Sequence, residues 1–250
     1  MNNKPRVDIK PENAKTRDTL VAILAFAAGS IDALSFVLLG GVFASFMSGN
    51  TVTLGLRIGS GDLPLALNSL TAISGYIGGV AVGANIGYPS SSISEKIWPY
   101  AVTKILAVEF SLLVVFTIGG FVVGNLNHEV MYLFILLVSI PMGMQSVGVK
   151  DLGITGVTTT YVTGTWTSFI MGLVTLRRSQ PSQRTIKKKQ DTILQAITLL
   201  VYVIGATVGG LVASHLELKA AILPASAIVF VLIFAWIKFH EVTEYSNNIS

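Results

Sequence analysis

The chain has 250 residues, of which 52% are hydrophobic and only 12% charged, with a mean hydropathy of +0.69 and a formal net charge of +4. An ordinary soluble domain carries about 25% charged residues. So few charges cannot cover a water-exposed surface of this chain length, which argues against a soluble enzyme, a nucleic-acid binder and a disordered protein. Of the thirty charged side chains, eight fall in residues 1–18, seven in 177–191 and three in 238–244. Most of the rest lie near the ends of apolar runs, the pattern of a polytopic membrane protein that keeps its charges in loops.

In chain order, residues 1–18 hold Lys4, Arg6, Lys10, Lys15 and Arg17 and predict a solvated N-terminal tail. An apolar run follows from Thr19 to about Gly40, interrupted by Asp32. Ala25-Phe26-Ala27 mimics a signal-cleavage triplet, but the run continues past it and further spans follow. Residues 41–58 are apolar yet rich in Ser, Thr, Gly and Asn. Then come 63–87, 97–123, 130–149, 154–176, 192–214 and 218–237. Six of these eight segments have the length and hydropathy of membrane helices. The segments 41–58 and 154–176 are predicted to be broken spans or re-entrant loops. The expected fold is therefore an all-α polytopic membrane protein with six full spans plus two broken or re-entrant segments, up to eight spans in all. The N-terminal tail and the loop 177–190, with Arg177, Arg178, Arg184, Lys187, Lys188 and Lys189, are assigned to the cytoplasm by the positive-inside rule. Lys238 puts the C-terminal tail, 239–250, on the same side. Anionic lipid contact by the basic loop is compatible with that topology.

The two unusual segments match each other. Gly41-Val42-Phe43-Ala44-Ser45-Phe46-Met47-Ser48-Gly49-Asn50-Thr51 aligns with Gly156-Val157-Thr158-Thr159-Thr160-Tyr161-Val162-Thr163-Gly164-Thr165-Trp166. Upstream, residues 28–33 align with 142–147; downstream, 74–79 align with 205–210. Residues 19–123 and 130–238 are accordingly expected to be two membrane repeats. With re-entrant segments each half has three spans and the halves are inverted; with full crossings each has four and they are parallel. The basic residues favour the six-span arrangement slightly. In duplicated folds with discontinuous helices, substrate sites lie near midplane at the repeat interface. A break in hydrocarbon frees backbone groups that must be buried or line a watery cavity. Ser48-Gly49-Asn50-Thr51 and Thr163-Gly164-Thr165 are the expected break points, each starting a half-helix with its positive end toward the centre.

Asp32 lies about fourteen residues into its run, roughly 20 Å deep. A carboxylate there reads as a proton or cation relay or a substrate contact, against a structural hydrogen bond to the broken segment. Glu109 is central if its span begins at Ile97 and near the edge if it begins after Lys104. Lys104 reads as a snorkelling residue. Gln145 and Ser146 stand where the first half has Ile31 and Asp32, so the acid is not duplicated. Asn50 is a ligand contact or a cap for the following half-helix. With Ser45 and Thr160 of the aligned segments, these residues make up the expected solute or ion pathway: Asp32, Ser45, Ser48, Gly49, Asn50, Thr51, Glu109, Gln145, Ser146, Thr160, Thr163, Gly164 and Thr165. Gly75, Gly78, Gly79, Gly209 and Gly210 read as close-packing positions. Tyr76, Tyr161 and Trp166 read as gates or interface anchors, and Trp98 as an aromatic-belt residue.

There is no cysteine, and His128, His215 and His240 show no HExxH-type spacing, so no metal site is expected. No P-loop or dinucleotide fingerprint is present, so no nucleotide cofactor is expected. An enzyme acting on lipid would need a Ser nucleophile with an activating base, and no such pair is apparent.

Gly29-x-x-Asp32-Ala33 with Gly40-Gly41-Val42-Phe43-x-Ser45-Phe46-Met47-Ser48-Gly49-Asn50-Thr51-Val52-x-Leu54-Gly55 resembles the YoaK-like family of bacterial membrane proteins. Met142-Gly143-Met144-Gln145 and Thr159-Thr160-Tyr161-Val162-Thr163-Gly164-Thr165 extend the likeness, which covers about residues 19–238. Lys150-Asp151 departs from it, where a more basic pair is expected. The resemblance implies a multi-pass protein of the inner membrane, with about six spans and no established activity. Two readings of function compete. One is a small-solute secondary transporter or channel-like permease, using a proton or cation. The other is a non-transporting scaffold, sensor or partner subunit. A homo-oligomer is compatible with both, and neither has a nucleic-acid partner.

Overall fold

The structure is a computed structural model that describes residues 11–91, 97–123, 127–160, 162–178, 180 and 182–239. His240, Lys96, Tyr161 and most of both tails lie outside the described residues. Those described form eight α-helices and no strand. They are α1 (Pro11–Leu38), α2 (Met47–Gly59), α3 (Leu63–Ser91), α4 (Tyr100–Val122), α5 (His128–Asp151), α6 (Val162–Arg178), α7 (Gln183–Leu216) and α8 (Ile222–Phe239), with a 3-10 turn, Glu217–Ala221, before α8.

Among the described residues, five continuous helical stretches are long and apolar enough to cross a bilayer: Glu12–Leu38, Leu63–Gly87, Tyr100–Val122, His128–Asp151 and Gln183–Phe239. The last contains both α7 and α8. Unbroken, its 57 residues would be about 85 Å long, far beyond a bilayer. The chain reverses at Glu217, whose φ is +53°. Large apolar side chains stay exposed along the helices, such as Leu56 at 66% and Met171 at 63%.

Helices outrun the hydropathy at both charged ends. α1 starts at Pro11, inside the segment expected to be a tail. Proline suits the first helical position, and Glu12 follows it at the positive helix end. Similarly, α7 starts at Gln183, so most of the expected basic loop is helix. Ser182 caps it, accepting a hydrogen bond from the Thr185 backbone N–H at 3.2 Å. Hydropathy marks where lipid lies, whereas a helix continues until a cap or breaker ends it.

The long helices pack in two close seams. α1 lies against α7, and α3 against α5. A Cβ on Gly29 would strike the Tyr202 carbonyl, one on Gly205 the Phe26 carbonyl, and one on Gly209 the Ser30 backbone. In the other seam, Gly143 meets the Tyr76 carbonyl, Gly79 the Ile140 carbonyl and Gly83 the Met144 backbone. Residue numbers rise together along both seams, so both pairs run parallel. This register pairs Tyr76-x-x-Gly79-x-x-x-Gly83 with Tyr202-x-x-Gly205-x-x-x-Gly209, five residues away from the expected alignment of 74–79 with 205–210. Gly78 has nothing within 4 Å and Gly210 only Ala33 at 3.8 Å, so these two are not close-packing positions.

α2 and α6 are half-length partners of α3 and α7. The chain before each is irregular, at 39–46 and 152–160. The breaks therefore precede the expected points: Ser48 to Thr51 and Thr163 to Thr165 lie in the first turns of α2 and α6. Gly41 and Gly156 make the turns, with φ of +70° and +69°, where a side chain would be strained. Ser45 folds back to Asp32 in the interior of α1, while Arg57, near the other end of α2, reaches Gly40 just past the end of α1. Thus α2 runs in the same direction as α1, from its interior to its end, and spans about 20 Å.

Candidate functional site

Asp32 is 3% exposed and fully hydrogen-bonded. Its Oδ1 accepts from the Ser45 backbone N–H at 2.7 Å. Its Oδ2 accepts from the Ser45 hydroxyl at 2.5 Å and from the Tyr202 hydroxyl at 2.6 Å. α1 supplies the carboxylate, the first break supplies Ser45 and α7 supplies Tyr202. An acid at this depth requires such partners.

The second break makes the corresponding contacts without an acid. Ser146 on α5 shares a hydrogen bond with the Tyr76 hydroxyl at 2.6 Å, and another with the Thr160 hydroxyl. Gln145, next to it, donates through Nε2 to the Thr159 hydroxyl at 2.8 Å and the Leu24 carbonyl at 3.3 Å. Its Oε1 is buried with no partner among the described residues. The two breaks touch: Ser45 Oγ lies 3.4 Å from the Thr160 carbonyl oxygen. The half-helix starts, Met47 and Val162, each follow two residues later.

Each break is also clasped to its half-helix. Asn50 accepts from the Phe43 N–H at 2.9 Å and donates to the Phe43 carbonyl at 2.7 Å. Thr165 accepts from the Thr158 N–H at 3.2 Å and reaches its carbonyl at 3.3 Å. The Asn50 amide is thus committed to the backbone, though not as an N-cap; that position is Phe46, which makes no side-chain cap bond. In the first half Arg57, in the last turn of α2 itself, donates to the Gly40 carbonyl at 2.7 Å; in the second, Gln195 of α7 donates to the Thr155 carbonyl at 3.1 Å.

The structure therefore brings together Asp32, Ser45, Gln145, Ser146 and Thr160. It does not gather the whole expected set. Ser48, Thr51 and Thr163 are exposed at the half-helix starts, and the Thr51 hydroxyl bonds its own helix at Met47 O. Gly49 packs against the rings of Phe43 and Phe46, and Gly164 is half-buried in the first turn of α6. Glu109 is fully buried on α4, which packs against α3, α5, α8 and the turn 217–221; neither of its oxygens has a partner among the described residues. Trp98 is not a belt residue. It is 2% exposed, donates to the Thr103 hydroxyl at 3.0 Å and stacks on Phe239. Trp166 is 50% exposed. Tyr202 was missed, and the signal was available: it has the same Tyr-x-x-Gly-x-x-x-Gly spacing as Tyr76.

Among the described residues no group of three or more His, Cys, Asp or Glu could hold a metal ion. What the geometry offers is a pair of polar nodes inside an apolar body, each built from a long helix, a break and a tyrosine from the opposite half. One node has a carboxylate and the other a hydroxyl.

The family described as protein of unknown function, DUF1275, matches residues 20–235. The UPF0700 transmembrane protein YoaK of Bacillus subtilis (strain 168) is 36% identical over 201 residues, 78% of this chain and 83% of that protein. No solved structure matches.

Proposed function

We propose, from the premise that the chain belongs to the DUF1275 family, that it is a small-solute secondary transporter or channel-like permease. The observation that carries the reading is the meeting of Ser45 and Thr160, which joins two broken segments beside an intramembrane carboxylate. In the proposed topology the chain crosses six times, with α2 and α6 as re-entrant half-helices in two inverted repeats. The direction of α2 supports this, because it returns to the end of α1 rather than crossing beyond it. The recurring tyrosine, hydroxyl and clasp bonds support the duplication. The bond from Lys238 to Glu12 at 2.5 Å supports having both ends of the helical body on one side. The excess of basic residues supports a cytoplasmic side there, and the family resemblance supports the bacterial inner membrane.

Rocking of one sequence half against the other is disfavoured as the mechanism. α1 packs on α7 and α3 on α5, so each half is seamed into its counterpart. We assign the motion to the re-entrant segments, which are held by a few hydrogen bonds over Asp32 and Ser146. Solute or ion entry would break those bonds, and Asp32 would take the proton or cation. In proteoliposomes, Asp32→Asn should lower flux and remove its dependence on a pH gradient. Unchanged flux with unchanged pH dependence would sink the coupling role.

The second reading, a non-transporting scaffold, sensor or partner subunit, draws on the saturation of Asp32 by three donors. The grooves of about 400 and 260 Å³ between α4 and α8 lie away from the nodes. A stoichiometric partner on purification, with no solute flux, would favour this reading.

A further inference from the structure

We propose that the larger groove between α4 and α8 is a site for an anionic phospholipid, with one acyl chain in the groove and the phosphate at Lys104. The groove encloses about 400 Å³, between Tyr100, Lys104 and Ala107 of α4 and Leu232, Ile233 and Trp236 of α8. Its walls are almost wholly apolar, and Ile233 and Trp236 are more than half exposed. In a bilayer this surface meets acyl chains, and the groove gives one of them a fixed bed.

The headgroup preference comes from charge. Lys104 sits one turn inside the start of α4, about 6 Å along the helix from Tyr100. It is exposed, and its Nζ lies 4.9 Å above the Tyr100 ring. The ring holds the ammonium at the mouth of the groove without neutralising it. Among the described residues no carboxylate pairs with Lys104; the salt bridges there are Arg17–Asp18 and Lys238–Glu12. A lone cation above an apolar bed matches a lipid with a net negative headgroup better than a zwitterionic one. Tyr100 and Trp236 flank it as amphipathic aromatics suited to headgroup depth. The groove opens at the end of the molecule that carries Lys238 and Glu12, so the lipid comes from the cytoplasmic leaflet under the orientation proposed above. The binding itself does not depend on that orientation or on transport.

The test is native mass spectrometry of the full chain, released from detergent after equilibration with phosphatidylglycerol or phosphatidylcholine of identical chains. The wild type should retain phosphatidylglycerol about fivefold more, the ratio expected from one basic residue near the headgroup. Lys104→Gln should abolish that preference and Lys104→Arg should keep it. Ala107→Trp fills the bed and should reduce retention of both lipids, with circular dichroism confirming that each variant is folded. Equal retention by the wild type, a preference that survives Lys104→Gln, or unchanged retention by a folded Ala107→Trp variant would each overturn the proposal. So would a protein dimer in place of the lipid adduct that Ala107→Trp dissolves.

Discussion

Tyr202 and Ser45 place their hydroxyl groups on the same oxygen of Asp32, at 2.6 and 2.5 Å, from opposite ends of the sequence. A residue of α7 therefore helps to seat the break that follows α1. The matching tyrosine, Tyr76, meets only a serine hydroxyl. Bonds to carboxylates are worth more than neutral ones. Tyr202→Phe should cost about 1.5–3 kcal/mol of stability and Tyr76→Phe about 0.5–1.5. Reversible unfolding in detergent would measure both, and the reverse order would count against the Asp32 node as the stronger one.

Asp32→Asn is nearly isosteric but turns one acceptor into a donor. That donor must face either the Ser45 N–H or the two hydroxyls that now bond Oδ1 and Oδ2. An unsatisfied buried group costs about 1–3 kcal/mol. Ser146→Ala removes only a neutral hydroxyl and should cost less. Limited proteolysis at 39–46, compared with 152–160, should show the first break loosened by Asp32→Asn and the second unaffected.

The seams make a steric prediction. Alanine at Gly29, Gly143 or Gly205 would place a methyl group into a facing backbone carbonyl. Such overpacking costs about 1–3 kcal/mol. Gly78→Ala meets nothing within 4 Å and should change stability by less than about 0.5 kcal/mol. Melting temperatures of the four variants would separate the two classes.

The absence of cysteine makes topology directly readable. A single cysteine at Ser60, in the exposed turn after α2, should react on intact cells with a thiol reagent that cannot cross the membrane. One at Ser182, at the start of α7, should react only after permeabilisation. With eight crossings, position 60 would instead be protected in intact cells.

Much of the fold was legible in the sequence because lipid imposes a simple code. Apolar runs of about 20 residues marked the long helices, and the Ser/Thr/Gly-rich composition of 41–58 and 154–176 marked the irregular segments. Helix ends were less legible, since α1 and α7 extend into charged sequence. The breaks fell before Ser48 and Thr163 because the positive-φ glycines 41 and 156, rather than 49 and 164, make the turns. Asp32 and Ser45 were found from composition and alignment. Tyr202 escaped because its partner lies 170 residues away, and only the packing of α7 on α1 brings it to Asp32.

The pairing of α1 with α7 also sets an order of assembly. Gly29 is closed over by Tyr202 and Ala206, which leave the ribosome more than 170 residues later. Until then the first helix holds a bare glycine groove, and Asp32 lacks the hydroxyl of Tyr202. A newly inserted first half is therefore an open clasp that waits for the second.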